Sequence, residues 1–426
     1  MAVSYSQSTG ESLCIVIPAL NEEGSIVATA ERCKQFREHA LRIRLLTEVD
    51  IVIVSDGSTD RTLELAQSVP DVRAIAFEQN QGYGAAIQEG WRTSECSLLA
   101  FLDADGTCDP MVFEDLCLQL KRRDAEIALG SRMGPGSQMP KVRRLGNRIY
   151  ALLLGILCGR SVTDTASGMR VVRRSALPRL GSLPTGLNFT PAMSARALLG
   201  GLQVAEVPMS YAERVGESKL SVLTDGVRFF CSIVDAAFCF RPDRPFTLAF
   251  AGFLIMALLF ALYPTEFYLQ HGRVEEWMIY RYVCACLAGG ISALSLSAIA
   301  ICHQITLLGP QAETTDSFWA QTVSRLFHGR SIGIVTMLGL ASAAAVLWPG
   351  IVEFTTTQTC TLHWTRLITG ASLILFSFIA GGTGIVLRVI SLLSSECRSA
   401  ADDCATPVLR LAIDDEFSAP ERAMCG

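Results

Sequence analysis

CIVIPALNEE (14–23), IVIVSDGSTDRT (51–62) and FLDADG (101–106) follow one plan: a short apolar run that stops abruptly in polar residues. Strands this continuously apolar are buried on both faces, as in a parallel sheet covered by helices. The runs at 13–18, 51–55, 98–102 and 125–129 therefore read as strands. Between them, 22–37, 61–68, 84–92 and 111–122 carry helical spacing. The alternation predicts an α/β domain with a parallel sheet. In such sheets a ligand sits outside the carboxyl ends of the strands. Three polar clusters follow those ends: Pro18 to Glu22, Asp56 to Asp60, and Asp103-Ala104-Asp105-Gly106.

Asp103 and Asp105 stand two positions apart at the end of a strand, and Gly106 permits the chain to turn just after them. Two carboxylates beside a phosphorylated ligand suit Mg²⁺ or Mn²⁺, which take oxygen ligands. A bland alternative is an Asp-rich loop that caps the next helix.

Outward from these motifs the chain changes character. It has 426 residues, 50% hydrophobic and only 18% charged, with net charge −5. Its mean hydropathy is +0.36. This composition excludes a disordered or collagen-like chain and gives no basic footprint for nucleic acid. Four uncharged runs at 245–265, 282–302, 331–352 and 367–387 are each long enough to span a bilayer. Tyr263-Pro264 marks an aromatic and a helix breaker at one interface. Lys219, Arg228, Arg241 and Arg244 precede the first run, which predicts cytoplasmic entry and, with four spans, cytoplasmic termini. The start, 1–13, has no apolar signal core, and none of the 15 cysteines forms C-x-x-C, so free thiols and no zinc site are expected. The expected divisions are a cytoplasmic catalytic domain at 1–219, an interfacial amphipathic helix at 220–244, a membrane region at 245–392 and a polar, mobile tail at 393–426. The interfacial helix rests on a stripe at Leu223, Val227, Phe230, Val234 and Phe238. The apolar stretch 145–157, beside Lys141, Arg143, Arg144 and Arg148, is too short to span and fits either lipid contact or core packing.

Three further strings, GSR (130–132), DTASGMR (164–170) and RVGESKL (214–220), join the first three in a family resemblance. Together they resemble family-2 inverting glycosyltransferases of the GT-A fold, in the branch of dolichyl-phosphate mannose synthase and bacterial polyprenyl-phosphate glycosyltransferases. The resemblance implies a GT-A, Rossmann-like domain followed by four transmembrane helices. It implies transfer of a sugar from a GDP- or UDP-linked donor to a polyprenyl phosphate, with inversion and a divalent cation. By position it assigns the nucleotide sugar to Pro18, Leu20, Glu22, Val54 and Asp56, together with Asp103, Ala104 and Asp105. It assigns the metal to Asp105, with Asp103, and the acceptor phosphate to Arg132, Arg214 and Lys219. Asp164 takes the place of the catalytic base, or orients the acceptor, since a lipid monophosphate with a second pKa near 6 is largely deprotonated at neutral pH. Thr107 stands where some relatives carry another ligand. No Q-x-x-R-W string occurs, which argues against a processive polysaccharide synthase. Other readings are a transferase with a different lipid or glycan acceptor, or a membrane scaffold with an inactive transferase domain. The intact acidic motifs argue against the scaffold.

Overall fold

The computed structural model describes residues 10–134, 137–160, 162–212, 222–308, 317–358 and 362–416. The chain divides into two compact units, 1–241 and 242–426. The first carries strands β1 (Ser12–Ala19), β2 (Glu48–Asp56), β3 (Arg73–Phe77), β4 (Leu98–Leu102), β5 (Ile127–Ser131), β6 (Met169–Arg173) and β7 (Val204–Pro208). Its helices are α1 (Ile26–Arg42), α2 (Thr62–Ser68), α3 (Tyr83–Arg92), α4 (Val112–Arg122), α5 (Lys141–Cys158), α6 (Leu177–Leu180), α7 (Phe189–Leu199) and α8 (Val222–Phe240).

The sheet runs β3-β2-β1-β4-β6-β5-β7. It is parallel except at β6, which lies antiparallel to both β4 and β5. The wholly parallel sheet expected from the sequence is thus mixed. The strand β6 reads Met169-Arg170-Val171-Val172-Arg173, and nothing in its composition gives its direction. The strand pleat sorts the core into two layers. Leu13, Ile15 and Ile17 of β1 join Val49, Ile51 and Ile53 of β2 on the side of α1 and α4. Cys14 and Val16 join Val52 and Val54 on the side of α3 and α7. Helix α1 matches its layer at 3.6 spacing through Ile26, Ala30, Cys33, Phe36 and Ala40, all fully buried. Each fully buried Ile or Phe contributes about 1.5–3 kcal/mol by leaving water.

Helices α5 and α8 pack on α7 through Leu154, Leu157, Ile233, Ala236 and Phe240. Each keeps a second apolar stripe outside. On α5 it is Val142, Leu145, Ile149, Leu152 and Ile156; on α8 it includes Val227, Phe230 and Phe238. The stretch at 145–157 therefore packs into the core through Leu154 and Leu157 and leaves an apolar stripe exposed on its other face. The side chain of Leu223 lies outside the described residues.

The second unit holds α9 (Asp243–His271), α10 (Ile279–Thr306), α11 (Phe318–Leu326), α12 (Arg330–Thr357) and α13 (Trp364–Glu416). Four stretches are long and apolar enough to cross a membrane: Asp243–His271, Glu276–Thr306, Ser331–Thr357 and Trp364–Ser394. They enclose the four runs read from composition. Pro264 does not end the first: α9 continues through it to His271. The stretch 393–426, expected as a polar tail, is helical as far as Glu416. Within the unit α10 packs against α9, α11 and α13, and Ser292 donates to the Phe250 carbonyl at 3.1 Å.

Candidate active site

A cavity of about 480 Å³ opens at the carboxyl ends of β1, β2 and β4 in the first unit. Pro18, Leu20, Glu22, Asp56, Asp103, Ala104, Asp105 and Arg132 all line it. Val54 does not: the pleat turns its side chain into the core beneath, where it is fully buried. Arg214 and Lys219 lie outside the described residues.

The loops after β1 and β2 hold one another. Asn21, in the left-handed region at φ 49°, accepts from the Thr59 amide at 2.8 Å and donates its own amide to Ser58 Oγ at 3.1 Å. The Glu22 amide donates to Thr62 Oγ1 at 2.8 Å. The cavity wall formed by Pro18–Glu22 is therefore set by contacts about 40 residues away in sequence. Asp56, 3% exposed, accepts from the Gln81 amide at 2.7 Å and the Gly82 amide at 3.0 Å. It ties β2 to the start of α3.

After β4 the chain turns at Gly106, φ +73°, a conformation that glycine adopts without strain. Asp105 accepts from the amide and hydroxyl of Thr107 at 3.1 and 2.7 Å. Thr107 thus serves as a donor that orients Asp105. Helix α1 braces the turn from outside, with Thr29 Oγ1 donating to the Ala104 carbonyl at 3.1 Å and Arg32 to the Cys108 carbonyl at 2.8 Å. Asp103 accepts from the Tyr83 hydroxyl at 2.7 Å. Burial first, and then the Asp103 charge, push the Tyr83 phenol well above its ordinary range, so it is a donor at neutral pH. Asp103 and Asp105 both line the cavity here, and the described residues contain no cluster of three or more metal-ligating side chains. The donor set fits a hard cation that draws its remaining oxygens from a diphosphate and water.

At the other end Arg132 and Asp164 form one buried pair. Arg132 donates from Nε at 2.7 Å and Nη2 at 2.9 Å, and its amide adds a third bond at 3.0 Å. Asn147 Nδ2 donates to the same carboxylate at 3.0 Å. The Asp164 side chain is fully buried and that of Arg132 is 12% exposed. Burial alone would raise the Asp164 carboxyl, but the Arg132 guanidinium outweighs it and holds the carboxyl below its usual range. Burial likewise works against the Arg132 charge, and Asp164 overrides it, so Arg132 stays cationic. The Arg132 guanidinium sits 5.5 Å from the Tyr211 ring centroid. The sequence motifs gave Arg132 and Asp164 separate tasks; the fold brings them together. Arg170, fully buried, donates to the carbonyls of Thr165 and Ser167 and so stiffens the loop that bears Asp164. Burial lowers its pKa to about 10, which leaves it charged at neutral pH.

Arg143, Asn147 and Tyr150 of α5 and Arg228 and Phe229 of α8 complete the cavity. It is acidic toward the sheet, basic beyond Arg132, and apolar where Met139, Val142 and Phe229 reach it. Tyr83, Asn147 and Tyr211 escaped the sequence reading because they follow no strand end of the motif set. The available signals were the G-Y-G opening of α3 and a lone Asn within a basic, amphipathic helix.

Residues 14–181 match the Glycosyl transferase family 2 domain. Over 234 residues the chain is 32% identical to a dolichyl-phosphate hexose transferase of Haloferax volcanii, covering 54% of this chain and 95% of that protein. The chain belongs to glycosyl transferase family 2. It is also 32% identical over 266 residues to a low-salt glycan biosynthesis hexosyltransferase of the same organism, spanning 61% of this chain and 62% of the relative's length. An undecaprenyl-phosphate mannosyltransferase of Micrococcus luteus is 29% identical over 220 residues, 48% of this chain and 86% of that one. Among solved structures, glucosyl-3-phosphoglycerate synthase of Mycobacterium tuberculosis, bound to Mn²⁺, UDP-glucose and phosphoglyceric acid, aligns with a TM-score of 0.45 at 18% identity. It covers 54% of this chain and 80% of that one. As a family-2 member the chain is a glycosyltransferase, with a Rossmann-like domain followed by four apolar helices of spanning length.

Proposed function

We propose that this glycosyltransferase moves a hexose from a nucleotide sugar to a polyprenyl phosphate with inversion. The observation that carries the reading is the single cavity whose acidic end lies at the strand termini and whose basic end lies at Arg132, Arg143 and Arg228. A diphosphate donor needs a cation or a basic wall, and a phosphate acceptor needs cations of its own. The named relatives that act on dolichyl and undecaprenyl phosphate support the acceptor class.

On this reading Pro18, Leu20, Glu22 and Asp56 receive the nucleotide, with Asp56 acting partly through the α3 turn that it holds. Asp105, with Asp103, would hold Mg²⁺ or Mn²⁺. When bound, such a cation supplies Lewis-acid stabilisation of the charge on the departing diphosphate. An acceptor phosphate oxygen attacks the anomeric carbon as the carbon–oxygen bond to the diphosphate breaks on the opposite face. The acceptor is already anionic, so little proton removal is needed. That suits Asp164, whose oxygens are engaged by Arg132 and Asn147: its task is to aim Arg132 at the phosphate rather than to take a proton. Arg214 and Lys219 are assigned to the same phosphate from their motif.

The proposed topology puts the catalytic unit and both termini in the cytoplasm, as the cations before α9 favour. The exposed apolar stripes of α5 and α8, flanked by Lys141, Arg143, Arg144 and Arg148, would lie at the membrane interface and receive the lipid. The test is transfer by the full-length enzyme from GDP-mannose, UDP-glucose and related donors to polyprenyl phosphate and to the neutral polyprenol. Transfer to the phosphate alone is expected. Equal use of the polyprenol refutes the acceptor class.

A further inference from the structure

The contact between Tyr83 and Asp103 has no part in the scheme above, and both sides of it are rigid. Tyr83 opens α3 immediately after Gly82. That turn is fixed by the Asp56 carboxylate on Gln81 and Gly82, and by the Ala85 amide donating to the Thr185 carbonyl at 3.0 Å. The Tyr83 ring stands edge-on to Phe101, with centroids 6.4 Å apart. The phenol therefore cannot follow Asp103 if the carboxylate swings.

Gly168 forms the opposite wall. A Cβ built there would fall 1.9 Å from Asp103 Oδ2 and 2.4 Å from its Cγ. Only a residue without a side chain leaves the carboxylate room. The Gly168 loop is itself held: Ser167 Oγ donates to the Gly130 carbonyl at 2.5 Å, and Arg170 Nε to the Ser167 carbonyl at 3.1 Å. Asp103 thus lies between a fixed donor on Oδ1 and a fixed backbone beside Oδ2. A free aspartate samples several χ1 wells, and two carboxylates one residue apart repel. A donor to one oxygen holds the torsion in one well and offsets part of that repulsion.

We propose that Tyr83 is a positioning residue which, against the wall of Gly168, locks the Asp103 carboxylate in the orientation that lets the Asp103–Asp105 pair share a divalent cation. The inference rests on the transferase reading of the cavity. It links the nucleotide end to the cation end through one turn, from Asp56 by way of residues 81–83 to Asp103.

The experiment is direct Mn²⁺ binding, followed by electron paramagnetic resonance, to the full chain in detergent with saturating UDP or GDP. The proteins are wild type, Tyr83→Phe, Asp103→Asn and the double variant. Tyr83→Phe keeps the ring and loses one hydrogen bond to a charged group; about tenfold weaker Mn²⁺ binding is expected, with the unfolding temperature unchanged and turnover largely recovered at high Mn²⁺. In the Asp103→Asn background the same change should add less than about twofold, because the partner is already altered. An unchanged isotherm for Tyr83→Phe, or the same loss in both backgrounds, overturns the positioning role while leaving the transferase reading intact. A wild-type chain that binds Mn²⁺ with neither nucleotide overturns the positioning role together with the cation assignment to Asp103 and Asp105.

Discussion

Asp164→Asn retains the shape of the side chain and removes its fully buried charge from a largely buried pair. In the wild type the carboxylate accepts two guanidinium bonds, the Arg132 amide and Asn147 Nδ2, with no exposed surface. The variant leaves the Arg132 guanidinium, 12% exposed, without its counter-charge. Breaking a buried pair in this way costs about 3–5 kcal/mol. The remaining amide oxygen still accepts a bond, so the low end applies. For a unit of this size each kcal/mol shifts the midpoint by about 2–4 °C, which gives a fall of about 6–12 °C. The buried thiols Cys14, Cys33, Cys108 and Cys117 report the event through a thiol-reactive dye, since they become accessible only on unfolding. The pH dependence has a definite sign. Arg132 holds the folded carboxyl below its unfolded value. The stabilisation is therefore complete above about pH 3.9, the unfolded value, and is lost as pH falls through the lower folded value. The gap between wild type and variant should be flat from about pH 5 to 8 and narrow only below about pH 4. A double variant, Arg132→Met with Asp164→Leu, should recover most of the stability but no transfer. A midpoint for Asp164→Asn within about 2 °C of wild type would refute the claim that the pair is buried and coupled.

Asp105→Asn should nearly abolish turnover with the fold intact, and excess chelator should do the same to the wild type; full activity in either case argues against the cation. Arg143→Ala should raise the polyprenyl phosphate concentration needed for half-maximal rate by about one to two orders of magnitude, at 1.4 kcal/mol per decade, with donor binding little changed. Arg214→Ala should act in the same direction by about one to three orders, and loss of nucleotide binding instead would move it to the donor site. Reporter fusions should find the C-terminus in the cytoplasm; an external C-terminus would mean an odd number of spans.

Local pattern and residue chemistry make part of this protein legible in the amino-acid order. Continuous apolar strands ending in Glu22, Asp56 and Asp103-Ala104-Asp105 are legible because a strand must stop where its buried side chains stop, and ligands gather at that edge. The four described helices long and apolar enough to span a bilayer are legible because an uncharged run of about 20 residues has few other destinations. The rest depends on contacts made only once the chain has folded. The direction of β6 depends on a crossover, which a five-residue strand does not encode. The pairing of Arg132 with Asp164, the donation of Tyr83 to Asp103 and the bare Cα of Gly168 against that carboxylate join residues 20 to 65 positions apart. Val54 belongs to a strand whose end faces the cavity, yet the pleat turns it inward. Motifs name the groups a site uses; which of them face each other, and which neutralise each other, follows from how the strands and helices between them close the loops.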